Sequence, residues 1–356
     1  MMTRKVDRLD FARPVADRAT AGAPLVDTFR RRITYLRLSI TDRCDLRCTY
    51  CMPERMTFLP KADILSLEES YLLARAFMAR GVRTIRLTGG EPLVRRDAID
   101  LVRAIGRHVG KELDEVTLTT NGTQLAAHAD ALARAGVRRI NVSLDTRDPE
   151  TFRKLSRRDV LGKVLEGIAA ASEAGLKVKL NTVAMRGIND DEIPDLVAWA
   201  HTQGHAISLI ETMPLGDVDE AREDRFVPLS EIRRQLDARW TLRPSDASTP
   251  GPSRYFDAIG KDGAETGGRI GFITPMSDNF CEGCNRLRVT ATGQLYPCLG
   301  GGEQVDLRAA LRSETPDTRV ADALDMAMAI KPERHDFRIG AGEKPTQARH
   351  MSVTGG

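Results

Sequence analysis

Six short runs of apolar and β-branched residues, near 35–40, 84–88, 115–120, 139–144, 177–183 and 206–211, recur with helix-like segments between them. Strands that alternate with helices in this way pair parallel, so the spacing predicts a parallel sheet backed by helices. The helix signals agree. Ser66 followed by Glu69 is a capping-box pattern ahead of Tyr71-Leu72-Leu73, and Gly81, Gly136, Gly175 and Gly204 stand where helices should end, each with a strand following. Six strands are fewer than the eight of a closed TIM barrel, which favours a partial, open α/β barrel of (βα)6 type. A doubly wound flat sheet has the same periodicity and stays open as an alternative.

Within the strands, the residues between apolar positions are polar, and several are cationic. Arg37 lies between Leu36 and Leu38, Arg86 between Ile85 and Leu87, and Lys179 between Val178 and Leu180. The same face carries Thr117, Thr119, Asn141, Ser143 and Ser208. In a barrel one face packs under helices and the other faces the lumen, so a polar lumen with at least three cations is expected. Two like charges about 6 Å apart at an effective dielectric of about 20 repel by about 3 kcal/mol, which is large beside a net stability of about 5–15 kcal/mol. An anion in the lumen would relieve this. Pairing with lumen carboxylates or a solvated face would account for one such residue more readily than for three.

Barrel enzymes carry their active residues at the C-terminal ends of strands. Here the first strand runs into a loop with Cys44, Cys48 and Cys51, separated by three and then two residues, a spacing that lets three sulfurs turn toward one centre. A soft metal centre fits such a set. Iron–sulfur clusters usually take four thiolates, so three would leave one iron open to a small molecule. A structural zinc would need a fourth ligand, and no His lies nearby. The second strand ends in Thr88-Gly89-Gly90-Glu91-Pro92, where glycines let backbone approach a ligand, and the sixth ends in Glu211-Thr212-Met213-Pro214.

From about 226 the alternation stops. A helix-like segment from Ser230 to Trp240 leads into a Pro-, Ser- and Gly-rich passage from Pro244 to Gly268, read as a boundary or a long surface loop. A second incomplete cysteine set follows, Cys281, Cys284 and Cys298, the last beyond a hairpin turn expected at Thr292-Gly293. Two such sets strengthen the case for two clusters, each with an open iron. Arg286 and Arg288 alternate beside the second set and suit an acceptor-rich ligand.

The chain of 356 residues is 41% hydrophobic, enough for a sizeable core, and a net charge of +3 leaves no broad basic footprint for nucleic acid. No apolar run has transmembrane or signal-peptide character. The six cysteines fall in two sets rather than a disulfide framework, so a reducing, cytoplasmic location is expected. Residues 1 to about 32 read as a loose extension, followed by a barrel domain over 33–225 and a C-terminal domain over 226–356.

Taken together, residues 33–356 resemble the GTP 3′,8-cyclases, the molybdenum cofactor biosynthesis protein A family of radical S-adenosylmethionine enzymes. The resemblance rests on Thr41-Asp42-Arg43-Cys44 to Cys51-Met52-Pro53, Thr88-Gly89-Gly90-Glu91-Pro92-Leu93, Leu118-Thr119-Thr120-Asn121-Gly122, Asn141-Val142-Ser143-Leu144-Asp145, Gly187-Ile188-Asn189-Asp190, the second cysteine set and the terminal Gly355-Gly356. It implies that Cys44, Cys48 and Cys51 hold a radical-generating four-iron, four-sulfur cluster, and that Tyr50, Gly90, Ser143 and Met213 contact S-adenosylmethionine. It further implies that Arg37, Arg86, Thr119 and Lys179 bind GTP. Cys281, Cys284 and Cys298 would hold a second 4Fe-4S cluster that meets the guanine, making the C-terminal part an iron–sulfur domain, with Arg286 and Arg288 on the substrate.

The implied reaction cleaves S-adenosylmethionine to a 5′-deoxyadenosyl radical that takes the 3′ hydrogen of the ribose. The C3′ radical then adds to C8 of guanine, and Gly355 and Gly356 reach into the active site. An external electron donor, a homodimer and transfer of product to cyclic pyranopterin monophosphate synthase belong to the same implication. His108, His128 and His350 are left as surface residues. Ser208 stands where the family commonly has Arg, so one expected lumen cation is missing. Two rivals remain: a radical S-adenosylmethionine peptide maturase, for which lumen cations have no reason, and a non-enzymatic zinc-binding module.

Overall fold

The computed structural model describes residues 11, 22–218, 222–339 and 345–355. Its six barrel strands are β1 (Tyr35–Ser39), β2 (Thr84–Thr88), β3 (Glu115–Thr120), β4 (Arg139–Ser143), β5 (Lys177–Ala184) and β6 (Ala206–Glu211), adjacent in that order and all parallel. Between and behind them run α1 (Leu67–Ala79), α2 (Ala98–Gly106), α3 (Leu125–Arg134), α4 (Pro149–Ser156), α5 (Leu161–Glu173) and α6 (Ile193–Thr202). The helix-facing strand positions, among them Leu36, Leu38, Ile85, Leu87, Val116, Leu118, Ile140 and Val142, are buried in one core. Each such side chain contributes about 1.5–3 kcal/mol. The capping box at Ser66 is present in both directions, with Glu69 N donating to Ser66 Oγ at 3.0 Å and Ser66 N to Glu69 Oε2 at 2.8 Å. The four expected helix-ending glycines all adopt positive φ.

The later residues lengthen the barrel sheet at both edges. Beyond β6 come β7 (Trp240–Pro244), β8 (Arg254–Gly260) and β9 (Glu265–Ile273), of which β9 pairs parallel with β6 and the other two run antiparallel. Beyond β1 come β10 (Arg286–Val289), parallel to it, and then the antiparallel β11 (Gln294–Tyr296) and β12 (Val305–Asp306). The result is one twelve-stranded sheet whose ends, β12 and β7, are not joined, an open barrel. The passage from Pro244 to Gly268, expected as a boundary or a long surface loop, is irregular over 245–253: β8 and the start of β9 follow within it, because Tyr255 and Ala258 find buried positions despite the Gly-rich context. The turn at Thr292-Gly293 does join two antiparallel strands, β10 and β11.

The loose extension also ends earlier than expected. Residues 1–10 and 12–21 lie outside the described residues, but Leu25 and Ile33 are fully buried, and Leu25 N donates to Arg80 O at 3.0 Å. Among the described residues no helix is long and apolar enough to cross a membrane.

Candidate active site

Both cysteine triads face one cavity at the C-terminal ends of the barrel strands. The loop of the first triad is fixed to its neighbours by backbone hydrogen bonds. Gly90 N donates to Thr41 O at 2.9 Å, Glu91 N to Arg43 O at 2.8 Å, Arg47 N to Ser156 O at 2.9 Å and Thr49 N to Leu155 O at 3.0 Å. A Cβ on Gly90 would stand 2.4 Å from Arg43 O, and one on Gly89 2.5 Å from Thr41 O. The glycine pair thus admits the cysteine loop itself, while Gly90 still lines the cavity.

The buried Glu91 and the half-buried Asp145 support this loop. Glu91 accepts from Leu93 N (3.0 Å), Thr120 Oγ1 (2.8 Å) and Asn121 N (2.6 Å), and burial pushes its carboxyl up to about 7 against those donors. Asn121 Nδ2 in turn donates to Asp45 Oδ1 at 2.7 Å and lies 3.7 Å from Cys44 Sγ. Tyr50 donates to Asp145 Oδ2 at 2.7 Å, and Asp145 also accepts from Val183 N at 2.8 Å. Burial raises the Cys44 thiol to about 12, with Glu91, Cys51 and Asp45 adding to the effect, and raises Cys48 well above its usual value, with Cys51 and Cys44 adding. Thiols that oppose one another's ionisation fit a cationic iron–sulfur centre, which takes thiolates and supplies the balancing charge.

The second triad sits among cations instead. Burial alone would raise the Cys284 thiol, but Arg286 and Lys331 outweigh it and bring the group down to about 7. Arg31 donates to Cys281 O at 2.9 Å, and Arg349 to Cys298 O at 3.4 Å and Gly301 O at 2.7 Å. Each cysteine is therefore anchored by a cation from a different part of the chain.

Between the triads the lumen carries Arg37, Arg86, Lys179, Arg286 and Arg288. Arg288, Arg37 and Arg86 stand side by side in register on β10, β1 and β2. Among the described residues none of the five forms an ion pair with a carboxylate, and Arg37 Nε and Nη2 and Arg86 Nε find no partner. Burial followed by Arg288 lowers the Arg37 guanidinium well below its usual range. Burial followed by Arg286 brings Arg288 to about 10, and burial brings Lys179 to about 8 although Tyr255 OH accepts from its Nζ at 3.1 Å. These are cations held at a cost, which a bound anion would offset. Tyr50, Ser143, Met213 and Thr119 line the same cavity, so every expected contact residue of the barrel is gathered there.

Ser208 shares the lumen-facing side of β6 but does not reach the cavity. It is fully buried, its Oγ lies 2.8 Å from Ser253 Oγ, and a Cβ on Gly271 would stand 2.6 Å from that Oγ. The place of the missing cation is thus filled by the passage that sequence reading took for a loop. Ser208→Arg is expected to overpack this site and lower stability by about 1–3 kcal/mol, seen as a lower Tm with no gain in kcat/KM. An unchanged Tm would show that the covering segment yields.

The chain end is part of the site. Arg288 Nη1 donates to Gly355 O at 2.8 Å, Gly355 has φ of 74°, and a Cβ there would lie 2.0 Å from Thr88 Oγ1. Met351 and Ser352 line the cavity, and Gly356 lies outside the described residues. His108, His128 and His350 are half-buried rather than on the surface. His108 Nε2 meets Tyr71 OH at 2.9 Å, and His350 packs on Gly216. Sequence reading missed Lys331, Arg349 and Tyr255 and quoted Asp145 without a role, since what these residues do depends on partners far along the chain. Glu91 was visible as the one acid at a glycine-rich strand end.

Comparison with known proteins agrees with this geometry. A family model described as the Radical SAM superfamily matches residues 38–200, and one described as Molybdenum Cofactor Synthesis C matches 205–337. The two matches meet just before β6. The GTP 3′,8-cyclase of Erythrobacter litoralis is 69% identical over 94% of this chain and 100% of its own length. That of Rhizobium meliloti is 55% identical over 100% of both. Among solved structures, Streptococcus suis SuiB bound to S-adenosylmethionine aligns with a TM-score of 0.56 at 16% identity, covering 91% of this chain and 76% of that one, a likeness of fold alone. At these identities and coverages, the chain belongs to the GTP 3′,8-cyclase family of the radical SAM superfamily.

Proposed function

We propose that this chain converts GTP to (8S)-3′,8-cyclo-7,8-dihydroguanosine 5′-triphosphate, the first step of molybdenum cofactor biosynthesis. The observation that carries the reading is the set of five lumen cations that have no carboxylate partner among the described residues, lying between two cysteine triads. Bound here, the two 4Fe-4S clusters and S-adenosylmethionine supply one-electron reduction and abstraction of the ribose 3′ hydrogen.

The chain's own residues bind and orient. Cys44, Cys48 and Cys51 hold the first cluster, and Tyr50, Gly90, Ser143 and Met213 form the wall that takes S-adenosylmethionine. Asp145 keeps Tyr50 in place, and Glu91 keeps the glycine turn and Asn121 in place. Arg37, Arg86, Lys179 and Thr119 bind GTP, the cations gaining the anion that their burial calls for. Cys281, Cys284 and Cys298 hold the second cluster at the guanine, with Arg286 and Arg288 on the substrate. Arg288 also holds the carbonyl of Gly355, which aims the chain end at the substrate and helps to exclude water. In this reading an external donor delivers the electron, a cyclic pyranopterin monophosphate synthase takes the product, and the enzyme works as a cytoplasmic homodimer.

The test is anaerobic incubation with S-adenosylmethionine, dithionite and each nucleoside triphosphate in turn, followed by mass analysis. Loss of a hydrogen atom from C3′ and gain of an electron and a proton leave the composition of GTP unchanged, so a product isomeric with GTP, formed from GTP alone, is expected. Equal turnover of ATP, or a modified peptide with no nucleotide product, contradicts the reading.

A further inference from the structure

Lys331 follows the helix Pro316–Ala329 and is 3% exposed. Its ammonium donates to Pro297 O at 2.6 Å and to Arg286 O at 3.2 Å, and lies 3.6 Å from Cys284 Sγ. These three contacts use all three donors of an ammonium, and none of the partners is a carboxylate. They also join two separate arms of the second triad: the strand entered just after Cys284 and the turn just before Cys298. Of the three partners, Cys284 is the one that belongs to the triad itself.

We propose that Lys331 is the positioning residue of the second triad, with a double role. It clamps the two arms at the separation that receives a cluster, and it places a fixed positive charge beside one ligand sulfur. This rests on the reading that the second triad holds an iron–sulfur cluster. Lys331 touches neither substrate nor reacting atoms and acts through Cys284. A cation beside a ligand sulfur favours the more negative, reduced form of a cluster, so its charge raises the reduction potential of that centre. In the first triad, the Cys44 sulfur is met by the neutral Asn121 amide, whose Nδ2 lies 3.7 Å away.

The experiment compares wild type with Lys331→Arg, Lys331→Gln and Lys331→Met, each purified and reconstituted anaerobically as the full chain. Iron and sulfide per chain are measured together with the reduction potential of each centre by spectroscopic titration. A variant with Cys44, Cys48 and Cys51 all changed to alanine identifies the signals of the second centre. Lys331→Met is expected to lose about half of the iron, all of it from the second centre. Lys331→Gln, which keeps a donor without the charge, retains more iron but shows a lower potential at the second centre only, and Lys331→Arg stays nearest to wild type in both readouts. Full iron with an unshifted second potential in Lys331→Gln or Lys331→Met overturns the proposal, as does Lys331→Arg losing as much iron as Lys331→Met. A further variant with Cys281, Cys284 and Cys298 all changed to alanine separates the two failures: wild-type protein with no more iron than this variant would refute the second cluster itself, which is a failure of the proposed function.

Discussion

Gly355→Ala is expected to slow GTP cyclisation by about a hundredfold while leaving iron content, Tm and S-adenosylmethionine cleavage near wild type. The added methyl group would lie 2.0 Å from Thr88 Oγ1, far inside van der Waals contact. The backbone at φ 74° is also one that an alanine adopts only with strain. The chain end must therefore move, and Arg288 loses the carbonyl it binds at 2.8 Å. A displacement of about 1 Å in a group that orients substrate can cost about a hundredfold, whereas the hydrogen bonds described above for the loop of the first triad do not involve Gly355. Counting 5′-deoxyadenosine and cyclic product in the same reaction checks this. Wild-type yield of cyclic product from Gly355→Ala would make the tail a passive terminus.

Cys298→Ala is expected to remove about half of the iron and reduce cyclic product by more than about a hundredfold, since loss of even an outer-shell partner of a metal site costs about 10- to 100-fold. Reductive cleavage of S-adenosylmethionine should continue. The groups that hold the first loop, Glu91, Asn121 and Asp145, bond to residues of the barrel, whereas the Cys298 loop is held by Arg349 and by Gln347, whose Nε2 donates to Gly300 O at 2.7 Å. Iron analysis and 5′-deoxyadenosine yield measure the two halves of the claim. A variant that keeps its first cluster but cleaves no S-adenosylmethionine contradicts the separation.

Features with local causes were legible in the sequence. The capping box at Ser66, the positive-φ glycines after helices and the alternation around Arg37, Arg86 and Lys179 each follow from a few neighbouring residues, and the structure contains them. What was not legible depends on pairings across the whole chain. β10 lies against β1 although some 250 residues separate Tyr35 from its partner Arg286, and nothing near either residue announces the pairing. Residues 22–32 looked like loose chain because they mix charges with Ala, Gly and Pro and show no period, yet Leu25 is buried and Arg31 reaches Cys281. Ser208 looked like a missing cation because the strand pattern says which way it points, not that Ser253 and Gly271 cover it. Lys331 carried no signal at all, since a lysine at a helix end is ordinarily solvated.

The most direct measurement uses GTP carrying deuterium at C3′, incubated anaerobically with the reconstituted protein, S-adenosylmethionine and dithionite. On the proposed reading, the lumen cations, the two triads and the docked chain end hold the ribose where its 3′ hydrogen is taken, so deuterium is expected in the 5′-deoxyadenosine that accompanies cyclic product. Unlabelled 5′-deoxyadenosine formed alongside cyclic product would contradict the account.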